Sequence, residues 1–279
     1  MHWYATCTYS NMTRLLLINP NTTEAVTELL ATHARALAPA GAVLTTRTAR
    51  FGASYISSET GVVLAAHAVL DAWALDVHQY RGDPPSAILI GCFGDPGIEA
   101  LREISGCPVV GLASAAVHEA ARVGRWAVLT GGLPWVPILK RLAFSEGVAD
   151  NLAEVRAIAA TGTQLAADPE CARRMLRDAC TELLHYHPDL QCIVLGGAAL
   201  AGVASDLQPG LPVVRLLDSV VCGVSAAWQA AAQAASRPMD TFSSATAAIS
   251  RVSVRWTSFV PDSAVGDRLA SELNRRGST

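Results

Sequence analysis

The chain has 279 residues and a formal net charge of −3, enough length to bury one large core or two of domain size. Its charged residues, 16% of the total, are interspersed in sign, so there is no basic stripe for a nucleic-acid backbone, and nucleic acid is not an expected partner. No run of about 18 uninterrupted apolar residues suggests a membrane span, and seven cysteines without a Cys-x-x-Cys pair fit reduced thiols in a cytoplasm better than a disulfide framework.

Residues 1–12 carry neither a basic start nor a long apolar run and read as a leader, not a signal peptide. Short, nearly all-apolar runs follow at Leu15 to Ile18, Ala87 to Ile90, Val109 to Leu112, Trp126 to Leu129, Ile193 to Leu195 and Val213 to Leu217. Gly, Pro, Asn or Asp bounds each of them, as expected of buried parallel strands. Between them lie helical patterns at Thr23 to Ala38, Gly61 to Asp76, Ile98 to Ile104, Ser114 to Val123, Pro169 to Leu184 and Val220 to Ala235. This alternation predicts an α/β fold with parallel sheets covered by helices. Residues 236–279 differ in kind, with an alternating patch at Val252, Val254 and Trp256 and a short helical pattern from Ser263 to Arg275. They read as an extension, and together with the Ala-rich helix before them they favour a homo-oligomer. His185 and His187 stand two apart, so they do not share a helix face, and no metal site is expected there.

The chain also repeats itself. Ala87-Ile-Leu-Ile-Gly-Cys92 is matched about 105 residues later by Cys192-Ile-Val-Leu-Gly-Gly197, and Cys107-Pro-Val-Val-Gly-Leu112 by Leu211-Pro-Val-Val-Arg-Leu216. A looser match sets Leu16-Leu-Ile-Asn-Pro20 against Ala127-Val-Leu-Thr-Gly131. Matches in chain order argue for two duplicated halves. In this register Cys92 corresponds to Gly197, and Ser114 to Asp218.

Ligands in parallel α/β sheets gather at the carboxyl ends of strands. That rule selects Asn19 to Thr22, Gly91 to Asp95, Thr130 to Gly132 and Gly196 to Ala199 as four segments facing one cleft. Cys92 precedes Asp95-Pro96, which can cap a helix, and a thiol beside a helix start is expected to have its pKa drawn toward neutrality. The alternative is a small buried hydrophobe. Asn21 with Glu24 resembles a capping box, whereas Asn19 is expected to project from the strand tip. Gly131, Gly132 and Gly197 allow close backbone approach, or simply make turns. Asp218 and Ser114 are either ligand-orienting groups or helix caps. Phe51 to Glu59, including Gly52, Ser54, Tyr55 and Ile56, could build a specificity pocket.

Ile18-Asn-Pro-Asn-Thr22, Gly91-Cys-Phe-Gly-Asp-Pro-Gly97 with Leu101-Arg-Glu103, Pro108-Val-Val-Gly111 and Ile193-Val-Leu-Gly196 resemble the aspartate/glutamate/hydantoin racemase superfamily, and the Cys-Phe-Gly-Asp-Pro-Gly string resembles its hydantoin and allantoin racemase branch. The resemblance runs from about Arg14 to Ala235. It implies two pseudo-symmetric α/β domains, 13–114 plus about 218–235 and 115–217, around a cofactor-free site between them. The implied substrate is a small molecule with a carboxylate or imide. In the family two cysteines flank the substrate Cα, one as thiolate and one as thiol. Cys92 matches the first and Gly197 stands in the place of the second. The expected site is therefore Cys92 as acid–base, with Asn19, Thr22, Phe93, Gly94, Gly131, Gly132, Gly197 and Ala198 around the substrate. Three activities fit this pattern: a racemase or epimerase with another group on the Gly197 face, a single-cysteine lyase of the arylmalonate decarboxylase type, and a homologue that binds without turnover.

Overall fold

The computed structural model describes residues 13–158 and 168–236. The patch at Val252 to Trp256 and the helix from Ser263 to Arg275 lie outside the described residues, as does the leader. In chain order the first half contains β1 (Arg14–Asn19), α1 (Glu24–Ala36), β2 (Val43–Thr48), α2 (Glu59–Gln79), β3 (Ala87–Ile90), α3 (Ile98–Ser105), β4 (Val109–Gly111) and α4 (Leu112–Val123). The second contains β5 (Trp126–Gly131), α5 (Trp135–Ser145), β6 (Leu152–Ile158), α6 (Pro169–Tyr186), β7 (Cys192–Gly196), α7 (Val203–Leu207), β8 (Arg215–Asp218) and α8 (Ser219–Ala235). The strands form two four-stranded sheets of identical order, β2-β1-β3-β4 and β6-β5-β7-β8. Every pairing is parallel, so the architecture is the α/β fold that the alternating pattern predicts.

The inner strands β1, β3, β5 and β7 are buried along their whole length, which is why they read as unbroken apolar runs. The outer strands β2 and β6 escape that pattern. Their sequences, VLTTRT and LAEVRAI, lie at sheet edges and are largely half-buried, so Thr, Arg and Glu are tolerated on faces that water still reaches.

Sheet register tests the repeat residue by residue. Leu16 lies opposite Ile88, and Ala127 opposite Ile193, so the first and third matches hold in space. The match built on Pro108 and Pro212 does not. Ile88 faces Val109, whereas Ile193 faces Leu216, and Gly111 and Asp218 occupy equivalent places opposite Ile90 and Leu195. Asp218 is thus the counterpart of Gly111, not of Ser114. The Pro-Val-Val string in the second half belongs to the approach to β8.

Helix α8 turns back onto the first half. Gly223 lets it approach Leu112, where a Cβ would come within 2.5 Å of the leucine side chain, and Trp228 Nε1 donates to the Ala34 carbonyl at 2.9 Å. One hydrophobic cluster runs through both halves, taking Leu15 and Leu89 from the first sheet and Val128 and Val194 from the second. Helix α2 is, by length and composition, the one helix among the described residues that could cross a membrane. It lies instead against the first sheet, with Val69, Ala72 and Trp73 packed on Leu16, Ile18, Ile88 and Ile90. Its buried Asp71 takes two bonds from Arg50, at 3.0 and 2.8 Å, and its buried Asp76 pairs with Arg14 at 2.9 Å.

Candidate active site at the strand ends

The carboxyl ends of β1, β3, β5 and β7 converge on a cavity of about 440 Å³. Among the expected site residues Cys92, Phe93, Gly131, Gly197 and Ala198 line it, joined by Asn21, Thr130, Tyr55, Ile56 and Trp135. Asn19, Thr22, Gly94 and Gly132 do not line it.

Each of these four has a local structural task. Asn19 does not project from the strand tip: it is fully buried, and its amide donates to Asn21 Oδ1 at 3.1 Å and to the Thr23 carbonyl and Thr27 Oγ1 at 3.0 Å. It folds the loop back on α1 because a buried amide must satisfy its donors. Thr22 uses its backbone N–H to reach the Ala53 carbonyl at 3.1 Å. Gly94 lies beneath Trp135, where a Cβ would come within 2.5 Å of the indole. Gly132, at φ +88, makes the turn into α5, donating to Ile158 and accepting from Trp135. The capping box is also absent. Helix α1 starts at Glu24 with Thr23 at the cap position, and Asn21 Oδ1 accepts from the Thr23 N–H at 2.9 Å, holding the turn before the helix.

Sequence reasoning missed Trp135, Val26, Leu29 and Leu200, which line the cavity. Val26 and Leu29 of α1 follow an amphipathic pattern that reads as core, and only the tertiary arrangement turns them toward the opening. Tyr55 and Ile56, flagged within the Phe51 to Glu59 segment, do line it, and Tyr55 Oη reaches across to the Gly131 carbonyl at 3.4 Å. Arg141 of α5 adds a two-pronged bond to Glu59 at the start of α2, at 2.8 and 2.9 Å.

Cys92 is 9% exposed. Burial, and then the negative charge of Asp95, push its pKa well above the ordinary cysteine value. The expectation of a thiol drawn toward neutrality is therefore corrected. Asp95 does not cap the next helix; Gly97 occupies the cap position of α3, and the Asp95 carboxylate turns away to α4, accepting from Ala113 N at 2.9 Å and Ser114 N at 2.7 Å. Burial of the thiol and the negative charge of the nearby Asp95 both favour its neutral form. Burial also lifts Asp95, to about 6, against the opposing pull of the bonds from Ser114 and Ala113. The same geometry makes Asp218 a helix cap: it accepts from Val220 N at 2.8 Å and Val221 N at 3.2 Å at the start of α8.

A raised thiol pKa delays the appearance of thiolate as pH rises. Alkylation of Cys92 by iodoacetamide, followed by peptide mass spectrometry from pH 7 to 10.5, is expected to remain slow until above the ordinary cysteine range near ~8.5. An inflection near pH 7 would show that the cavity stabilises the thiolate.

Phe93 crosses to the second half and lies on Gly196, where a side-chain Cβ would overlap its ring. The next residue, Gly197, corresponds by register to Cys92, each standing two residues beyond the paired positions Ile90 and Leu195. Its N–H donates to Ser219 Oγ at 3.2 Å. A Cβ there would meet nothing within 4 Å, but φ is +137. Among the described residues lining the cavity there is no Asp, Glu, Lys, Arg or His, so a charged ligand entering it would lose hydration without gaining an opposite charge from them. A second hollow of about 540 Å³ lies between α4, β8 and α8. Its principal charges are already paired, Glu119 with both Arg122 and Arg215.

A family model described as Asp/Glu/Hydantoin racemase matches residues 15–227. The chain is 31% identical over 205 residues to a hydantoin racemase of Paenarthrobacter aurescens, an alignment covering 72% of this chain and 85% of that protein. The solved structure of allantoin racemase from Klebsiella pneumoniae superposes with a TM-score of 0.73 at 30% identity, over 79% of this chain and 88% of the other. Allantoin racemase from Pseudomonas fluorescens gives 0.72 at 27% identity, over 81% and 97%.

Proposed function

Because the chain belongs to the Asp/Glu/hydantoin racemase family and is an isomerase of that kind, we propose that it inverts the Cα of a neutral five-membered cyclic imide, a hydantoin-type ring bearing an apolar substituent, with Cys92 as acid–base. The observation that carries this reading is the position of Cys92 at the strand ends in a cavity with no charged side chain among its described lining residues. The ring carbonyls acidify the Cα proton and take up the charge as it leaves. An imide brings no charge of its own, so it enters this cavity without the desolvation cost of a free amino acid. Phe93, Trp135, Ile56 and Leu29 offer the substituent an apolar wall, where each buried methylene contributes about 0.8 kcal/mol.

In this reading the resting Cys92 is the thiol and gives its proton to the planar enolate. Gly197 stands where the family's second cysteine would be. With open space in place of a side chain, a water on that face takes the Cα proton and passes it to solvent, and the Cys92 thiolate left after protonating the enolate regains a proton from solvent. In the other direction the thiolate takes the proton and the water returns one. The reading calls on no cofactor. A single-cysteine lyase acting on a malonate is less well supported, because both carboxylates would have to enter a cavity with no cation among its described lining residues.

The test is to incubate one enantiomer of 5-benzylhydantoin with the protein in D₂O and follow optical rotation and the Cα proton signal against a protein-free blank. Loss of rotation with deuterium uptake is expected, at least about tenfold faster than for allantoin or aspartate, the preference expected from one or two desolvated polar groups. Preferential turnover of aspartate, or CO₂ release from a malonate without hydantoin exchange, would overturn the proposal. Ligand binding without exchange would leave a cavity that holds imides but does not turn them over.

A further inference from the structure

Resting on the acid–base role just proposed for Cys92, we infer that Asp95 is a positioning residue, whose buried carboxylate clamps the loop carrying the thiol to the first turn of α4. The loop is tight: the Cys92 carbonyl accepts from Gly94 N at 3.0 Å and Asp95 N at 3.2 Å, so displacement of Asp95 is passed directly to the thiol. Asp95 is 5% exposed, and its two oxygens take separate N–H groups, those of Ala113 at 2.9 Å and Ser114 at 2.7 Å. These lie in the opening turn of α4, where helical N–H groups have no intrahelical partner and the dipole favours an anion.

Two further features support the clamp. Asp95 is the one non-glycine residue with positive φ among the described residues, at +48. That conformation costs about 1 kcal/mol or more and persists only where surrounding bonds hold it. The carboxylate also fills the space over Gly111, so any side chain there would collide with it.

The second half builds the same bridge from the other side. Asp218, the counterpart of Gly111 in the sheet register, accepts from Val220 N and Val221 N at the start of α8. Its other oxygen takes Gly202 N at 2.5 Å, from the segment after β7. In each half one carboxylate joins the segment after the third strand to the helix after the fourth. The first half supplies it from the loop and leaves the strand end bare; the second supplies it from the strand end.

Asp95→Asn tests this assignment, since one oxygen is replaced by an amide that cannot accept. Two readouts are expected to move in opposite directions. Deuterium exchange into the hydantoin falls roughly 10- to 100-fold in kcat with KM little changed, the scale of a small misplacement of a reacting group. Cys92 alkylation, measured between pH 8 and 10.5, becomes faster at each pH, because the negative charge near the thiol is gone. Gly111→Ala keeps the carboxylate but displaces it, and is expected to lower kcat likewise; it decides the matter if Asp95→Asn does not fold. Asp168→Ala, which removes the cap of the distant α6, controls for helix capping and is expected to change only the melting temperature. A folded Asp95→Asn or Gly111→Ala protein with wild-type kcat and an unmoved alkylation profile would make Asp95 a helix cap and nothing more. The alkylation readout needs no substrate. Faster alkylation of a folded Asp95→Asn variant, where the wild type is inert toward hydantoins, would therefore keep Asp95 coupled to the thiol and reject the activity.

Discussion

Cys92→Ala is expected to abolish Cα chemistry. In the proposed mechanism a water stands on one face and the thiol on the other, so removing the thiol deletes the general acid, a loss of roughly 10²- to 10⁴-fold in exchange rate. Stability is expected to change little, by about 1 kcal/mol, since only one sulfur atom is removed from a side chain bordering an open cavity. Folding is checked by the melting curve, and activity by deuterium uptake into the hydantoin. A folded Cys92→Ala protein with full exchange would remove Cys92 from the reaction, and the strand-end cavity would then need another acid. Cys92→Ser separates volume from chemistry: a hydroxyl fills much the same space but is far less acidic than a thiol, so its exchange rate is expected to resemble that of the alanine variant.

Gly197→Cys is expected to act in the opposite sense and at a cost. It places a second thiol at the position that register equates with Cys92, with no atom within 4 Å of the new Cβ. Space therefore permits the side chain, and a second protein acid–base on the far face is worth up to roughly 10²-fold in racemisation. The backbone resists it. At φ +137 an L-residue is strained by roughly 1–3 kcal/mol, so the variant is expected to melt several degrees lower while turning over faster. The two effects are measured separately, by calorimetry and by the decay of optical rotation. A folded variant with two alkylatable cavity thiols and no rate gain would mean that the Gly197 face plays no part in proton transfer.

These two substitutions mark the boundary between what the linear sequence carries and what it does not. The inner strands were legible because burial on both faces leaves only apolar residues, and β3 occupies the very span read from its composition, Ala87–Ile90. Edge strands β2 and β6 were not, since half-exposed positions admit Thr, Arg and Glu and erase the signal. The reading of Cys92 as a strand-end residue in a ligand cavity required only the α/β rhythm and the strand-end rule. Its ionisation did not follow from that position. The sequence offers Asp95-Pro96 as a helix cap near the thiol, but the carboxylate reaches instead to Ala113 and Ser114, distant along the chain. The local pattern is the same in both cases; a contact across the fold chooses between them.

The same division holds for Asn19 and Trp135. Asn19 looked like a projecting strand-tip amide, yet three acceptors, Asn21, Thr23 and Thr27, draw it inward. Trp135 carried no motif and becomes a cavity wall because Gly94 leaves room beneath it.

The sequence by itself determined the α/β class, the duplication, the family and the presence of one cysteine at a strand end with a glycine at its counterpart, because composition and periodicity record burial along the chain. Only the tertiary structure decided that burial pushes the thiol pKa above its ordinary value, that no charged side chain lines the cavity among the described residues, that Asp95 bridges to α4, and that Gly197 has open space but a backbone hostile to any other residue. Those properties arise between groups remote in sequence, where desolvation, hydrogen-bond geometry and steric room are fixed by packing.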